Sequence, residues 1–338
     1  DRSVSRGLGD VYKRQVSTYP FGADDPQPRK LLDDSNFNVS YNEFSRKLTV
    51  DELIKSAGKT RVLLAGTENL MPFLEQNPNL EMISRVGIGL DGVPLNECRR
   101  RGIRVSFTPD AVTMAVVELT IGLMLSASRH VGNLDRRLRD GKWSRPSGRR
   151  LEHSVIGLFG FGRIGSRVAR ILTSFQPKEV LVHDSLDKSE EIQALRNHGL
   201  RIRQVEFEEM LTKSNLLSIH VPLYKKTRHR IGLEELKLMP SGSTLVNTAR
   251  GGIVEEDALA TALQNGILAS AAIDVFELEP YKGPLTELEN LIITPHIGSC
   301  SYDCRFRMEL ESAEEALRHL RGEALQREVF DREYEYQL

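Results

Sequence analysis

The sequence has few cysteines, a single tryptophan and no excess of charge of either sign. Its 338 residues include three cysteines, and 46 lysines and arginines balance 47 aspartates and glutamates. The net charge of -1 excludes a basic surface built to coat nucleic acid, and it also excludes an acidic solvating tail. Three cysteines do not make a disulfide framework, so the expected location is the reducing cytoplasm.

A long hydrophobic run is also missing. The most apolar stretch, 119–127, is interrupted by Thr120, Gly122 and Ser126 and is far shorter than the ~18 residues that a membrane span needs. No internal repeat is visible, which argues against a solenoid or propeller. Hydrophobic residues make up 40% of the chain, enough for a core in each of two domains, so a disordered protein is excluded. We therefore expect neither a membrane nor a nucleic-acid partner.

The first fifteen residues lack an initiator Met, an apolar signal segment and any strand or helix period. They are therefore neither a signal peptide nor an evident structural element. Their sequence resembles translated linker, which predicts that 1–15 is non-native or disordered. The native chain is expected to begin near Val16, where the sequence starts to look like a first strand.

From Ser154 onward, short runs of Val, Ile and Leu alternate with helical stretches or loops. Seven such runs occur, at 154–159, 179–183, 201–205, 215–220, 243–247, 268–273 and 290–294. Runs of this kind are typical of parallel strands that crossover helices cover on both faces. The pattern predicts an α/β fold, with a doubly wound parallel-sheet domain over 109–296 and a smaller α/β domain over 16–108. A last helix, roughly 301–320, is expected to pack on one of the two.

A glycine-rich turn follows the first run. Gly160, Gly162 and Gly165 form the pattern GxGxxG between a strand and a helix. The first glycine permits a tight turn, the second lets a pyrophosphate approach the backbone, and the third lets helix and strand pack closely. The phosphates then bind N–H groups at the helix N-terminus. Asp184 ends the next strand, where a carboxylate binds a ribose diol and repels a 2′-phosphate, so NAD is favoured over NADP.

Polar residues follow four of the other runs. They are His220, Thr248 with Arg250, Asp274 and His296. Because ligands bind beyond the carboxyl ends of the strands in an open parallel sheet, we expect these residues to line one ligand site.

The residue types suit a nicotinamide-dependent reaction at a hydroxyl group. His296 is the candidate acid and base for the hydroxyl proton, and Glu279 is the candidate carboxylate that orients it and favours its charged form. Arg250 would hold a substrate carboxylate through two parallel hydrogen bonds. The glycine-rich turn 86–90, in the other domain, offers backbone N–H groups to the same carboxylate.

Together these segments resemble the D-isomer-specific 2-hydroxyacid dehydrogenases over nearly all of 16–325. The resemblance rests on VGIGLDGVPL, VELTIGLML, GLFGFGRIG, HVPL, NTARGGIVEE, AAIDVFELEP and TPHIGS. It implies two Rossmann-like doubly wound domains, with the nucleotide domain 109–296 inserted into a discontinuous substrate domain, 16–108 plus 297–330. It also implies NAD as the cofactor, a small 2-hydroxy or 2-keto acid as the substrate, and a homodimer formed largely through the nucleotide domains.

The resemblance further assigns roles to individual positions. The catalytic residues would be Arg250, Glu279 and His296. The cofactor contacts would be Gly160, Gly162, Arg163, Ile164, Gly165, Asp184, His220, Val221, Pro222, Thr227, Thr248, Ala249, Asp274 and Gly298, together with His296. The substrate contacts would be Arg85, Val86, Gly87, Ile88, Gly89 and Arg145.

Within the family, the sequence most resembles the phosphoglycerate dehydrogenases. Arg85 matches a phosphate-facing arginine of that group, and the loop around Arg145 resembles one that reaches into the neighbouring subunit's site. The chain departs from the group at 65–67, Ala-Gly-Thr, where many members carry an arginine. The expected reaction is hydride transfer at C2, leaning to 3-phosphoglycerate and 3-phosphohydroxypyruvate. The alternatives are a hydroxypyruvate or glyoxylate type of reductase, and an NAD-sensing corepressor-like binding protein on the same fold.

Two other patterns have simpler interpretations. His296, Cys300 and Cys304 are four residues apart, as metal ligands on one helix face would be, but a proline and a glycine break a helix there. Since no fourth ligand lies nearby in sequence, we expect free thiols and no metal. The basic run 99–101 is expected to be a solvated helix end.

Overall fold

The computed structural model of the chain describes residues 14–337. It divides into two compact units: the first ends at Val112 and resumes at Cys300, and the second is Thr113–Ser299. The sequence had suggested boundaries at 108/109 and 296/297. Each unit is built on one parallel sheet with helices between its strands.

Within residues 14–337, the first unit has five strands in the order β2-β1-β3-β4-β5. This is the order of flavodoxin-like doubly wound sheets, which reverses between β1 and β3. With elements numbered along the whole chain, the strands are β1 (Arg14–Val16), β2 (Val39–Tyr41), β3 (Val62–Ala65), β4 (Met82–Arg85) and β5 (Arg104–Ser106). The helices are α1 (Gln27–Asp33), α2 (Val50–Ala57), α3 (Met71–Gln76), α4 (Leu95–Arg100), α12 (Tyr302–Leu320) and α13 (Asp331–Tyr336).

Strand β1 lies inside this sheet and pairs with β2 on one side and β3 on the other. Arg14 and Gln15 are buried in it, at 3% and 1% exposure. Residues 1–15 were expected to be non-native or disordered; of these, Arg14 and Gln15 are ordered in the sheet, and residues 1–13 lie outside the described part of the chain. The sequence placed the start of this strand near Val16 because Arg14 and Gln15 are polar; the Arg14 guanidinium lies over the ring of Phe37, 4.8 Å from its centroid.

Helix α12 confirms the helix expected at 301–320, and it packs on α1, β3 and β4 of the first unit. The Ser84 hydroxyl donates to the carbonyl of Ser312 at 2.9 Å. The Glu309 carboxylate accepts the N–H of Gly22 at 2.7 Å, and burial raises the pKa of Glu309 to about 7.

The second unit has seven parallel strands in the order β12-β11-β10-β9-β6-β7-β8. They are β6 (Val155–Phe159), β7 (Glu179–His183), β8 (Ile202–Gln204), β9 (Leu216–Ile219), β10 (Ser243–Asn247), β11 (Leu268–Ile273) and β12 (Leu291–Ile293). The helices are α5 (Pro109–Ser128), which begins just before this unit, α6 (Val131–Arg139), α7 (Arg163–Leu172), α8 (Ser189–Asn197), α9 (Phe207–Lys213), α10 (Leu233–Leu238) and α11 (Glu256–Gln264). The seven apolar runs are confirmed as the seven strands, and the predicted α/β fold with them.

The strand order of this sheet reverses between β6 and β9. Ligands of open α/β sheets bind beyond the carboxyl ends of the strands at such a reversal. The residues at these two ends are Gly160 and His220. The sheet thus brings the glycine-rich turn and one of the polar strand ends together.

Helix α5 is long and apolar enough to cross a membrane by length and composition alone, with a mean hydropathy of 1.7. The apolar stretch is therefore longer than the expected 119–127. In this structure 56% of that segment is buried. Val117 and Met124 belong to the same core cluster as Ile156 of β6, and a helix that is apolar on all sides is suited to such burial.

Candidate active site

The turn between β6 and α7 requires its glycines. Gly160 has φ +100°, and a methyl group on its Cα would lie 2.7 Å from the carbonyl of His220. A methyl group on Gly165 would lie 2.2 Å from the Gly160 oxygen, whereas one on Gly162 would meet no atom within 4 Å. Among residues 14–337, the N–H groups of Ile164 and Gly165 donate to no acceptor. Open space beside unpaired N–H groups at the start of α7 fits a pyrophosphate.

Asp184 lies directly after β7 and is tied to this turn. Its Oδ2 accepts the N–H of Phe161 at 2.7 Å, and its Oδ1 accepts the N–H of Leu186 at 2.9 Å. Each carboxylate oxygen keeps a second lone pair. The fixed carboxylate therefore fits the ribose-binding role expected from the sequence.

His220 packs beneath the same turn. Its Nε2 lies 3.0 Å from the Ser218 hydroxyl, and its Nδ1 is buried without a partner among the described residues. Burial lowers the pKa of His220 to about 3, so the ring is neutral at physiological pH. A methyl group on Gly165 would lie 3.5 Å from this ring, and one on Gly160 would lie 2.9 Å from Val221. His220 and Val221 thus support the turn.

Thr227 holds the loop that follows His220. Its hydroxyl lies 2.7 Å from the carbonyl oxygen of Pro222 and accepts the N–H of Tyr224 at 2.9 Å. The residue is 4% exposed. These contacts support a role for Thr227 in fixing the loop around the exposed Pro222.

The turn that presents Arg250 is built by Asn247, the last residue of β10. The Asn247 Oδ1 accepts the N–H of Ala249 at 3.0 Å, and its Nδ2 donates to the carbonyl of Arg250 at 2.9 Å. The Thr248 hydroxyl lies 2.7 Å from that of Thr120 on α5. Because these bonds fix the backbone on both sides, the half-buried Arg250 side chain leaves the sheet at a defined place.

Asp274 fixes the loop that carries His296. It is 1% exposed and accepts hydrogen bonds from the Thr294 hydroxyl at 2.5 Å and from the N–H groups of Ile297 and Gly298, both at 2.8 Å. Burial raises the pKa of Asp274 by more than these bonds lower it. His296 has φ +53°, a left-handed conformation that few non-glycine residues adopt. One of the three bonds to Asp274 lies before His296 in the chain and two lie after it, and together they hold this backbone conformation.

His296 and Glu279 form a hydrogen-bonded pair, with 2.7 Å between Nδ1 and Oε2. The other Glu279 oxygen accepts the N–H of Phe276 at 3.1 Å. Burial acts to raise the pKa of Glu279, but the bond and charge of His296, the Phe276 N–H and the charge of Arg250 together lower it below its usual value. The ionised Glu279 carboxylate is therefore hydrogen-bonded to Nδ1 of His296. Within the described residues, Nε2 of His296 has no partner.

The remaining predicted residues lie on other elements of the two units. The turn 86–89 belongs to the first unit, and Arg85 is 8% exposed, with its guanidinium donating to the carbonyls of Val86 and Gly89. Arg145 is exposed, in the segment after α6. Arg163 begins α7 at the glycine turn.

Several residues that organise the site were not singled out from the sequence. They are Thr108, Thr120, Ser218, Asn247 and Thr294. Four of them interrupt or end apolar runs, and a polar residue in a buried strand or helix needs a hydrogen-bond partner. That signal could have pointed to Thr120, Ser218, Asn247 and Thr294, although not to the partners they bind.

Within residues 14–337, no group of three His, Cys, Asp or Glu side chains is arranged to hold a metal ion. Cys98 and Cys304 are buried free thiols, and Cys300 is an exposed one.

The doubly wound sheet, the glycine turn and Asp184 define a nucleotide-binding α/β enzyme. Residues 121–298 match the model for the NAD-binding domain of the D-isomer-specific 2-hydroxyacid dehydrogenases. The chain belongs to this family of NAD-dependent enzymes, which confirms the resemblance drawn from its motifs.

Three related proteins and one solved structure are also similar to this chain. A glyoxylate reductase of Thermofilum pendens is 38% identical over 74% of this chain and 75% of its own length. A hydroxypyruvate reductase of Thermotoga maritima is 34% identical over 82% and 90%. A D-3-phosphoglycerate dehydrogenase of Methanocaldococcus jannaschii is 35% identical over 83% of this chain but 54% of its own. The crystal structure of a Thermus thermophilus protein superposes with a TM-score of 0.83 at 31% identity, covering 94% of this chain and all of the other.

Proposed function

We propose that this enzyme catalyses hydride transfer at C2 of a small D-2-hydroxy acid or its 2-keto acid, with His296 as the acid and base. The observation that carries the proposal is the 2.7 Å bond between His296 Nδ1 and Glu279. It fixes the ring and leaves Nε2 to exchange a proton with the substrate oxygen. NAD, when bound, accepts or supplies the hydride.

Glu279 orients His296 and favours its protonated form. Since the pKa of Glu279 is lowered, the carboxylate stays ionised across the neutral range. The negative charge of Glu279, beside the Nδ1–H group of His296, stabilises the imidazolium that forms when the ring takes the hydroxyl proton during oxidation. In the reverse direction the imidazolium donates that proton to the keto oxygen.

Arg250 is proposed to bind the substrate carboxylate, and the turn 86–89 of the first unit is proposed as a carboxylate-binding turn in its own right. Arg250 already donates from Nη1 to the carbonyl of Ala249 at 2.6 Å, and its charge is felt at Glu279. A guanidinium presents five donors in a planar fork that matches the geometry of a carboxylate. In the turn, Ile88 and Gly89 have N–H groups that donate to no acceptor within residues 14–337.

The cofactor is proposed to be held by the elements at the β6 and β9 ends. The N–H groups of Ile164 and Gly165 would bind the pyrophosphate over the open face of Gly162. Asp184 would bind the ribose diol. His220 supports this turn from below, while Thr248 and Asp274 fix the two neighbouring loops.

The substrate we propose is an unphosphorylated 2-keto acid of the glyoxylate or hydroxypyruvate kind, rather than 3-phosphohydroxypyruvate. At the end of β3 the chain has Ala65, Gly66 and Thr67 where many phosphoglycerate dehydrogenases carry an arginine. A methyl group on Gly66 would lie 3.1 Å from Oε2 of Glu68. Glu68 is 4% exposed. A buried carboxylate at this end of the sheet disfavours a phosphate dianion. The glyoxylate and hydroxypyruvate reductases among the relatives support the same choice.

The test is turnover with NADH against glyoxylate, hydroxypyruvate, pyruvate and 3-phosphohydroxypyruvate. We expect the highest kcat/KM for one of the unphosphorylated acids. A preference for the phosphorylated acid would reject the substrate proposal and leave the reaction type standing. No turnover with any acid would reject both and favour the NAD-sensing alternative.

A homodimer in the cytoplasm completes the proposal. Helix α6 buries none of its own residues. Val131 and Leu138 on it are 53% and 57% exposed, and Trp143 in the following segment is 80% exposed. An apolar surface of this kind supports a contact between subunits, beside the exposed Arg145. Light scattering should give twice the chain mass; the chain mass alone would contradict the dimer.

A further inference from the structure

The turn after β4 has an arginine folded against it. Arg85 ends the strand, and its guanidinium donates from Nε to the carbonyl of Gly89 at 2.8 Å and from Nη1 to the carbonyl of Val86. A methyl group on Gly87 would lie 2.8 Å from this Nη1. The guanidinium therefore lies against the turn and joins the carbonyls at its two ends.

The middle of the turn is held from another side by Thr108. The Gly87 N–H donates to the Thr108 hydroxyl at 2.9 Å, and the Gly87 carbonyl accepts the Thr108 N–H at 3.0 Å. Because the peptide bond is planar and trans, the N–H of Ile88 points away from that carbonyl and hence from Thr108. The N–H groups of Ile88 and Gly89 are the ones that donate to no acceptor within residues 14–337.

We propose that Arg85 is a positioning residue: it holds the carbonyls of Val86 and Gly89 so that the N–H groups of Ile88 and Gly89 meet the substrate carboxylate, and it does not bind a phosphate of the substrate. This rests on the proposed function, because it assumes that the turn binds the carboxylate. Arg85 is largely buried, at 8% exposure. Turning its guanidinium toward a phosphate would leave the carbonyls of Val86 and Gly89 without this partner, which is unfavourable.

The two roles of Arg85 predict different substrate dependence. A residue that holds the carboxylate turn affects every 2-keto acid, including glyoxylate, which has nothing beyond its aldehyde carbon. A residue that binds phosphate affects 3-phosphohydroxypyruvate alone. Lysine in its place keeps the charge but lacks the planar fork that spans two carbonyls.

The experiment compares wild type, Arg85→Ala and Arg85→Lys with glyoxylate, hydroxypyruvate and 3-phosphohydroxypyruvate. We expect Arg85→Ala to raise KM at least tenfold, by the same factor for all three acids, with a smaller effect on kcat and no change in NADH affinity. Arg85→Lys should raise KM by nearly the same factor. Guanidinium at millimolar concentration should lower the KM of Arg85→Ala and leave the wild-type KM unchanged.

Arg101→Ala is the matched control. The Arg101 guanidinium also joins two backbone carbonyls, of Leu74 and Asn77, in the same unit. We expect a similar loss of thermal stability and a wild-type KM. An equal rise of KM in this control would mean that Arg85 only stabilises the fold. A rise of KM in Arg85→Ala that is confined to 3-phosphohydroxypyruvate would mean that Arg85 binds the phosphate. Either outcome overturns the inference. If wild type turns over none of the acids, the proposed function fails, and the inference fails with it.

Discussion

The carboxylate of Asp274 accepts the backbone N–H of Gly298 at 2.8 Å, and through this bond strand β11 holds the loop that carries His296. Its other oxygen accepts from Thr294 and from the N–H of Ile297. One buried carboxylate thus satisfies three donors, on both sides of a histidine with a left-handed backbone. The position of the proposed acid and base depends on a residue that need not touch the substrate.

Asp274→Asn should therefore cost both stability and turnover. An amide has one acceptor oxygen where the carboxylate has two, so at least one buried donor loses its partner. We expect about 1–3 kcal/mol of lost stability, measured by denaturant unfolding, together with a lower kcat. Thr294→Val, which removes one of the three donors, should show a smaller effect on both. Wild-type kcat in Asp274→Asn would show that the loop is held by other contacts.

His296→Ala should abolish most turnover while NADH still binds. Loss of a general acid and base lowers kcat by about 10²–10⁴-fold. The turn at Gly160, Asp184 and His220 is unaltered, so the dissociation constant of NADH, measured by its fluorescence, should stay within twofold. Near-normal turnover would reject the catalytic assignment and strengthen the sensor alternative.

Glu279→Gln should shift the pH profile of reduction. In wild type the pKa of Glu279 is lowered, so the carboxylate is charged throughout the assay range and favours protonated His296. The neutral amide removes that charge, so the proton donor is lost at a lower pH. We expect the alkaline limb of kcat/KM to move to lower pH, with a milder loss at the optimum than in His296→Ala. An alkaline limb at its wild-type position would mean that the two groups are not coupled in catalysis.

The sequence predicted the strands and the residues with distinctive chemistry better than it predicted the contacts that hold them in place. Buried parallel strands are continuous apolar runs, so β6 to β12 could be recognised from composition alone. The start of strand β1 could not, because Arg14 and Gln15 are polar and only the folded sheet and the Phe37 ring account for their burial. Helix α6 was also missed: α5 ends at Ser128, and His130, with a φ of +58°, precedes a new helix that begins at Val131.

The candidate site shows the same division. Residues with distinctive chemistry, such as His296 and Glu279, could be chosen because each type suits one role. The direction of a side chain could not be: Arg85 matches a phosphate-binding position by sequence, yet its guanidinium lies against its own turn. Hydrogen bonds such as that between Thr120 and Thr248 join residues 128 positions apart, and no local pattern contains them.

Asp184 should make the enzyme prefer NADH to NADPH. Its carboxylate, fixed by the N–H groups of Phe161 and Leu186, would face the 2′-phosphate. We expect Asp184→Arg to relax the preference, measured as the ratio of kcat/KM for the two cofactors. Asp184→Asn removes the charge and keeps one of the two acceptor oxygens, and it should fall between wild type and Asp184→Arg. Comparable wild-type values for both cofactors would contradict the assignment.

His220 should make folding stability depend on pH. Burial lowers its pKa from 6.5 to about 3 in the folded protein, so between these values the unfolded chain binds a proton that the folded chain does not. The contribution of this group to stability is therefore lost as pH falls from about 6.5 toward 3, by about 1–2 kcal/mol at pH 5. His220→Gln should be less stable than wild type at pH 7.5, but should lose less stability on going to pH 5, as measured by urea unfolding. His153→Gln, a change at an exposed histidine of the same unit, should keep the wild-type slope. If the free energy of unfolding changed equally with pH in His220→Gln and wild type, His220 would take up its proton in the folded state as well. Burial beneath the glycine turn would then not keep the ring neutral.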